Sequence, residues 1–323
     1  MSRRTLLLNG PSAKAALTLA YGIMSGKGLC AFIALSMSVA LLSPGCNSPD
    51  RVLTIPAAED TAPKSIEGIE NYPVALSAIV SVMVRELNLP EPHGQVYFYR
   101  DAGAYQAALG AEIKSRIHRW EAESREIKRV QHQLEFELFK RTVDLAMHTA
   151  ATTVGQKVFV AEWTIMRIPW QKRFRILAHE LAHVVASSLA AGHVQRMHRW
   201  LMEGFAEWVS FKVVDALGTQ NFFYDQMRQA CGHEIANLRE LKAPENWLQP
   251  KSSHDLQSHY SESACAVHYI IVKNGVSAIL EYFRLFKDRD NGAKNFDAAF
   301  GESSYTFEQK IRAGRIDSRS LAQ

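Results

Sequence analysis

Residues 171–190 read QKRFRILAHELAHVVASSLA, and this stretch decides how the rest of the chain is interpreted. Its apolar residues recur at helical spacing after Pro169, which predicts a single helix. Three polar residues interrupt the apolar pattern: His179, Glu180 and His183. Because the two histidines are one helical turn apart, they project from the same face. Such a triplet among apolar neighbours is costly to bury unless something compensates its polarity.

A metal ion is the compensation that these residue types favour. Two imidazoles on one helix face can each present a nitrogen to the same cation, and neutral imidazole suits zinc. Glu180 would lie beside that cation, where a carboxylate can take a proton from water. The pattern therefore predicts a zinc site with a general base next to it.

A third ligand is expected in the segment 200–208, WLMEGFAEW, where Glu203 follows His183 by 20 residues. Two imidazoles and one carboxylate would leave zinc with a net charge of +1 and one position open for water, which is typical of a catalytic site. Glu207 lies one helical turn after Glu203 and can reach the far nitrogen of a ligating histidine. An exposed position on the helix is the alternative for Glu207.

The two motifs together resemble those of the gluzincin metallopeptidases, the thermolysin and aminopeptidase class. They are most similar to peptidase MA-like domains, whose second metal helix reads Trp-x-x-Glu-Gly-x-Ala-Glu. The resemblance covers roughly residues 155–313 and includes two further stretches matched in pattern, YSESA at 260–264 and FDAAFG at 296–301. It implies that His179, His183 and Glu203 hold one zinc per chain, with Glu180 as general base.

The fold class implied by this resemblance is α+β. We expect a small sheet, an active-site helix, a second helix that carries Glu203, and a helical C-terminal half. The class usually supplies a downstream Tyr or His that donates to the oxyanion, and His259 and Tyr260 are adjacent candidates at the entrance of a helix predicted over the apolar segment 264–272. Tyr260 is preferred for its reach and its neutral hydroxyl. A packing role for Tyr260 is the alternative.

The expected reaction is hydrolysis of a bond in a peptide or protein substrate by direct attack of water. Aminopeptidases of this class carry a Gly-x-Met-Glu-Asn strand, and residues 155–164 contain nothing similar, which argues against exopeptidase action. That strand is instead expected to pair its edge with a peptide backbone. Two other functions stay open: an inactive zinc-containing lipoprotein that acts as a binding or scaffold module, and a zinc amidase for a non-peptide amide.

An export signal is expected at residues 1–45. Lys27 precedes a 14-residue apolar run, 29–42, which is too short to span a bilayer. The next residues, LSPGC at 42–46, resemble a bacterial lipobox, which implies lipid attachment at Cys46. We therefore expect a protein of the bacterial cell envelope that is anchored to a membrane through Cys46. Met24 is an alternative start, and a buried apolar helix is the alternative interpretation of the run.

The remainder of the chain is electrically neutral. The formal net charge of +4 comes entirely from Arg3, Arg4, Lys14 and Lys27, which leaves 33 basic and 33 acidic residues elsewhere. Since nucleic-acid binding needs clustered basic residues, that partner class is excluded. At 323 residues and 47% hydrophobic, the chain is typical of a folded protein. Cys231 and Cys265 either pair in an oxidising compartment or stay free. The oligomeric state is not indicated.

The expected organisation places a polar tether at 46–68 and the start of folding near Ile69. A helix is predicted over 72–89 and strands over 95–100 and 156–162. The charged segment 112–149 predicts one long helix or a helical hairpin that packs on its own domain, with a partner-binding coiled coil as the alternative. Residues 69–154 would form an N-terminal region, and 155–323 the catalytic region.

Overall fold

The computed structural model describes residues 48–67, 69, 71–123, 149–194, 197–219, 221–232, 235, 238–242, 247, 253–289 and 291–313. Within these ranges the protein is α+β, as expected: a small mixed sheet and a helical C-terminal half. The expected signal peptide and Cys46 lie outside the described residues, as does the part of the charged segment at 124–148.

The described strands form one sheet in the order β1-β2-β4-β3. Strand β1 (Arg51–Thr54) pairs antiparallel with β2 (Gln95–Tyr99), β2 pairs parallel with β4 (Lys157–Ala161), and β4 pairs antiparallel with β3 (Ala151–Val154). The prediction that the strand after Gly155 offers an edge to a peptide is therefore wrong. That strand is β4, whose two sides are both occupied, and the edge belongs to β3.

The predicted tether at 46–68 is wrong in its first half, because β1 lies inside it. Arg51 holds this strand: its guanidinium lies 2.7 Å from the Glu162 carboxylate and over the rings of Tyr72 and Phe98. The ordered fold therefore begins before Ile69. A four-residue edge strand has too little periodic apolar content to be recognised among polar neighbours, since its stability comes from the strand beside it.

The helices largely confirm the predicted segments, with shifted ends. The predicted helix 72–89 stops at Arg85, since Asn88 adopts a left-handed conformation (φ 51°) before Pro90. The charged segment begins its helix at Ala102, ten residues before Glu112. The described helices of at least four residues are α1 Tyr72–Arg85, α2 Ala102–Glu123, α3 Glu162–Ile165, α4 Trp170–Leu189, α5 Arg199–Ala216, α6 Phe222–Cys231, α7 Ser253–Asn274, α8 Val276–Arg284, α9 Gly292–Phe300 and α10 Ser304–Arg312.

The sheet separates two apolar layers because successive strand residues face opposite sides. Phe98 and Val160 face the large core, which also contains residues of α1, α4, α5 and α7. Tyr99 and Phe159 face a smaller cluster built on α2. The pairing of β2 with β4 crosses the expected boundary at 154/155, and Asn47–Gln323 form one compact unit.

Helix α5 packs between α4 and α7 and makes its most extensive contacts with these two helices. The approach to α7 depends on Gly204, since a Cβ atom there would lie 2.2 Å from the Ser263 carbonyl oxygen. Cys231 of α6 and Cys265 of α7 form a disulfide, with their Cα atoms 5.2 Å apart. In the described part of the chain no single helix has the length and apolar composition to cross a membrane, although the bent pair Leu256–Asn274 and Val276–Lys287 meets both criteria together.

Candidate metal centre

Helix α4 carries the two histidines on one face, as the spacing predicts. The helix starts directly after Pro169 and buries Phe174, Leu177 and Leu181 in the large core. The turn between His179 and His183 brings their Nε2 atoms to 3.1 Å from each other. Both imidazoles are mostly buried, with 11% and 13% of their side-chain surface exposed.

Glu203 enters the same space from α5. Its Oε2 atom lies 3.3 Å from His179 Nε2 and 3.4 Å from His183 Nε2, and its side chain is only 2% exposed. Zinc bound tetrahedrally at 2.0 to 2.1 Å requires donor atoms about 3.3 Å apart. The three donors therefore form a group that can hold a metal ion, and their spacing fits a zinc-sized one.

Glu207 lies behind His179, one turn further along α5. Its Oε1 atom is 3.1 Å from His179 Nδ1, the nitrogen that faces away from the donor group. Its other oxygen forms an ion pair with Arg175 of α4. A carboxylate in this position fixes the tautomer and the orientation of a ligating histidine. Glu207 is buried, so the alternative of an exposed position on the helix is wrong.

The charges in the centre shift the pKa values of its residues in opposite directions. Burial alone would lower the pKa of His179, but the carboxylates of Glu203 and Glu207 outweigh it and raise that pKa to about 10. Burial alone would raise the pKa of Glu207, but Arg175 and His179 hold it at about 2. Metal binding would therefore release a proton from His179, because a protonated imidazole has no free electron pair on the donor nitrogen.

Arg199 is a residue of the centre that the sequence analysis missed. Its Nη2 atom lies 2.5 Å from Oε1 of Glu203, the oxygen that does not face the histidines. Despite burial, which would raise it, the pKa of Glu203 lies well below its usual range, chiefly because of the Arg199 charge. The two residues are four positions apart on α5, and this i,i+4 spacing of opposite charges already indicates an ion pair in the sequence.

Glu180 points towards the edge of the sheet. The hydroxyl of Thr153 on β3 donates to Glu180 Oε2 at 2.6 Å. Glu180 is buried, at 8% exposed, so this bond fixes the orientation of its carboxylate. No sequence pattern marked Thr153, because its contact with α4 depends on β3 being the edge strand that packs over that helix.

Tyr260 lies in the second turn of α7 and not at a helix entrance, because α7 begins at Ser253. The expectation of a helix that opens near residue 260 is therefore wrong. The Tyr260 ring lies 5.9 Å from that of His179 and 5.1 Å from that of Trp247. Burial, reinforced by the charge of Glu203, raises the pKa of Tyr260 well above its usual range, so its hydroxyl keeps a proton to donate.

His259, the other candidate donor, packs its ring 5.6 Å from that of Trp247. Of the two neighbours, Tyr260 is the one whose ring contacts His179. The structure thus brings together His179, Glu180, His183, Glu203, Glu207 and Tyr260, and adds Arg175, Arg199 and Thr153. Comparison of the chain with protein-family models, with curated proteins and with solved structures found no match.

Proposed function

We propose that this protein is a zinc-dependent peptidase that hydrolyses peptide bonds by attack of water. The observation that carries the proposal is the triangle of His179, His183 and Glu203 donor atoms, with sides of 3.1 to 3.4 Å. Three protein ligands leave a tetrahedral ion with one open position, which is the arrangement of catalytic rather than structural zinc sites. Zinc bound there would act as a Lewis acid that polarises the scissile carbonyl and acidifies water.

Glu180 is the proposed general base. It lies on α4 between His179 and His183 in the sequence, and the Thr153 hydroxyl holds its carboxylate in one orientation. From this position the carboxylate would accept the proton of the attacking water and pass it to the leaving amine. A general base held by a hydrogen bond needs no side-chain movement before it reacts.

Tyr260 is the proposed oxyanion donor. The support for this role is that its ring centroid lies 5.9 Å from that of His179, beside the donor group. Because its pKa is raised, the hydroxyl stays neutral and can donate to the negative charge that develops on the substrate oxygen.

The proposed substrate is an extended stretch of peptide that pairs with β3. This strand is the sheet edge nearest the centre, and Thr153 in its middle contacts Glu180. Backbone pairing at a strand edge positions a peptide without a side-chain signature. Cleavage within a chain is proposed because residues 155–164 lack the Gly-x-Met-Glu-Asn strand of aminopeptidases.

Export and lipid attachment at Cys46 stay part of the proposal. The Cys231–Cys265 disulfide supports this location, since disulfides form mainly in oxidising compartments. Intact mass of the membrane-extracted protein tests it: a chain that starts at Cys46 and carries acyl groups is expected. An unmodified chain that retains residues 24–45 would contradict it.

The test of the function is Glu180→Gln assayed with a library of internally quenched peptides, with zinc and with chelator. The amide keeps the size of the side chain and removes the base, so kcat should fall by roughly 10² to 10⁴ while about one zinc per chain is retained. Glu281→Gln, which changes a half-exposed glutamate of a surface pair, is the matched control and should keep full activity.

Three results would contradict the proposal in different ways. Turnover of Glu180→Gln within tenfold of the unmodified protein would remove Glu180 as the base. If the protein cleaved none of the peptides but did cleave cell-wall fragments, the result would favour the non-peptide amidase. One bound zinc with neither activity would favour the binding or scaffold module.

A further inference from the structure

The two oxygens of Glu203 face different partners. Oε2 lies 3.3 and 3.4 Å from the two histidine Nε2 atoms, and Oε1 lies 2.5 Å from Arg199 Nη2. The Glu203 side chain is only 2% exposed, so both oxygens are largely shielded from bulk solvent. One oxygen is therefore available to a metal and the other is held by a guanidinium.

A carboxylate can bind zinc through one oxygen or through both. A second oxygen would fill the position that a catalytic site keeps open for water, since zinc readily expands to five ligands. The ion pair with Arg199 opposes this change, because turning Oε1 towards the metal would separate it from the guanidinium, whose side chain is 36% exposed. Because the Glu203 side chain is only 2% exposed, water screens this partly buried pair less than a surface pair, and breaking it costs free energy.

Arg175 and Glu207 form a second ion pair between an arginine and a glutamate in the centre, but Glu207 is not one of the three donors. Glu207 contacts His179 Nδ1, whereas Glu203 is itself a donor of the group. Arg199 thus pairs directly with a carboxylate of the donor group. It reaches Glu203 from one turn earlier on α5, so the geometry is set by the helix itself.

We propose that Arg199 is a positioning residue that restricts Glu203 to binding zinc through Oε2 alone and so keeps one coordination position open. This inference rests on the proposed zinc site. It does not require that the substrate be a peptide.

The test uses cobalt-substituted protein, since Co²⁺ bound by four ligands absorbs visible light more strongly than Co²⁺ bound by five. The variants are Arg199→Met, Arg199→Gln and Arg199→Lys. Arg116→Met is the matched control, because Arg116 forms an i,i+4 ion pair with Glu112 in α2, away from the donor group. Zinc affinity is measured in parallel by competition with a chromophoric chelator.

Both neutral variants should show a weaker cobalt band while still binding zinc, because the freed Oε1 of Glu203 becomes a fifth ligand. Arg199→Lys should restore most of the band, because an ammonium can still pair with Oε1. Arg116→Met should match the unmodified protein in both measurements.

Several outcomes would overturn the inference. The first is an unchanged band and Kd in Arg199→Met and Arg199→Gln. The second is tighter zinc binding with an unchanged cobalt band in these variants, which would mean that Arg199 acts only as an opposing charge. The third is loss of fold in both, which would assign Arg199 to the stability of α5. Unmodified protein that binds cobalt but cleaves no peptide removes the peptidase proposal and leaves this inference standing, whereas protein that binds neither ion removes both.

Discussion

Two histidines in the interior, His179 in α4 and His198 at the start of α5, have opposite surroundings. His179 lies 3.3 Å from the Glu203 carboxylate and 3.1 Å from that of Glu207, and its pKa is raised to about 10. His198 lies among the rings of Trp200, Tyr282 and Phe296, and burial lowers its pKa to about 3.

The comparison teaches that burial alone does not make a histidine chemically useful. Desolvation disfavours the charged form of both rings, and only the neighbouring carboxylates reverse the direction for His179. The aromatic region around His198 stabilises the fold, whereas the charged region around His179 can hold a cation. The residues around each imidazole therefore distinguish a histidine of the apolar core from one that can take part in a metal site.

The largest expected effect comes from His183→Ala, which removes one of three donors. The zinc content should fall from about one per chain to near zero at sub-micromolar free zinc. His198→Phe removes the histidine of the aromatic region and should keep its zinc. Elemental analysis of both purified variants checks the contrast, and full occupancy in His183→Ala would remove the metal assignment.

Tyr260→Phe tests the charged region without touching a ligand. Loss of one oxyanion donor should lower kcat by roughly 10² to 10³ with little change in KM, while zinc stays bound. Steady-state kinetics on a cleaved peptide decide it. A kcat equal to that of the unmodified protein would leave Tyr260 as a packing residue and return the role to His259 or another group.

Gly204→Ala tests the contact that positions α7 beside the centre. A Cβ atom at 2.2 Å from the Ser263 carbonyl oxygen would push the helices apart, because backbone cannot move aside as a side-chain end can. The free energy of unfolding should fall by about 1 to 3 kcal/mol, as for overpacked cores, and kcat should fall with it because Tyr260 is one turn from Ser263.

Gly103→Ala is the matched control for this substitution. Its nearest neighbour is the Asp101 carboxylate oxygen at 3.2 Å, which needs to shift by only a few tenths of an ångström and can keep its bond to the Ala104 N–H. The free energy of unfolding should therefore change by less than about 1 kcal/mol. Chemical denaturation measures both variants. Equal stability of the two would mean that α5 and α7 tolerate a wider separation than their packing indicates.

The last expected effect is a pH dependence of the free energy of unfolding that His198 contributes. Folding lowers the pKa of the His198 imidazole to about 3. As the pH falls, His198 is therefore protonated near pH 6.5 in the unfolded chain and only near pH 3 in the folded chain. The stability contribution is therefore complete above pH 6.5 and is lost as the pH falls towards 3. Between pH 7 and 5 the unmodified protein should lose about 2 kcal/mol more than His198→Phe.

Tyr282→Phe is the control for this measurement. It deletes the hydroxyl that accepts from the His198 backbone N–H, and it leaves the number of titrating imidazoles unchanged. It should lower stability at every pH and keep the pH slope of the unmodified protein. Identical slopes in His198→Phe and the unmodified protein would show that His198 does not resist protonation in the fold.

The sequence predicted those parts of the fold that depend on local periodicity. The helix that contains His179 and His183 occupies Trp170–Leu189 against a prediction of 171–190, and strands β2 and β4 lie within the predicted segments. It did not predict β1 or the correct edge of the sheet. Strand order depends on which segments meet, and no single segment contains that information.

The candidate centre divides in the same way. By itself, the sequence determined the donor set, because the two histidines are one helical turn apart on one apolar helix and Glu203 heads a second motif. The sequence also places Arg199 four residues before Glu203, at the i,i+4 spacing of an ion pair on one helix. Helix geometry fixes such relations before any packing occurs.

Only the tertiary structure decided the residues that surround these donors. Arg175 meets Glu207 across 32 positions, and Thr153 meets Glu180 across 27, because α4 packs against α5 on one side and β3 on the other. Tyr260 and the Cys231–Cys265 pair likewise depend on where α7 lies. Their positions follow from helix–helix and helix–sheet contacts between segments that are distant in the chain. These contacts form because apolar faces are buried against each other, and the sequence of one segment does not show which other segment will cover its apolar face.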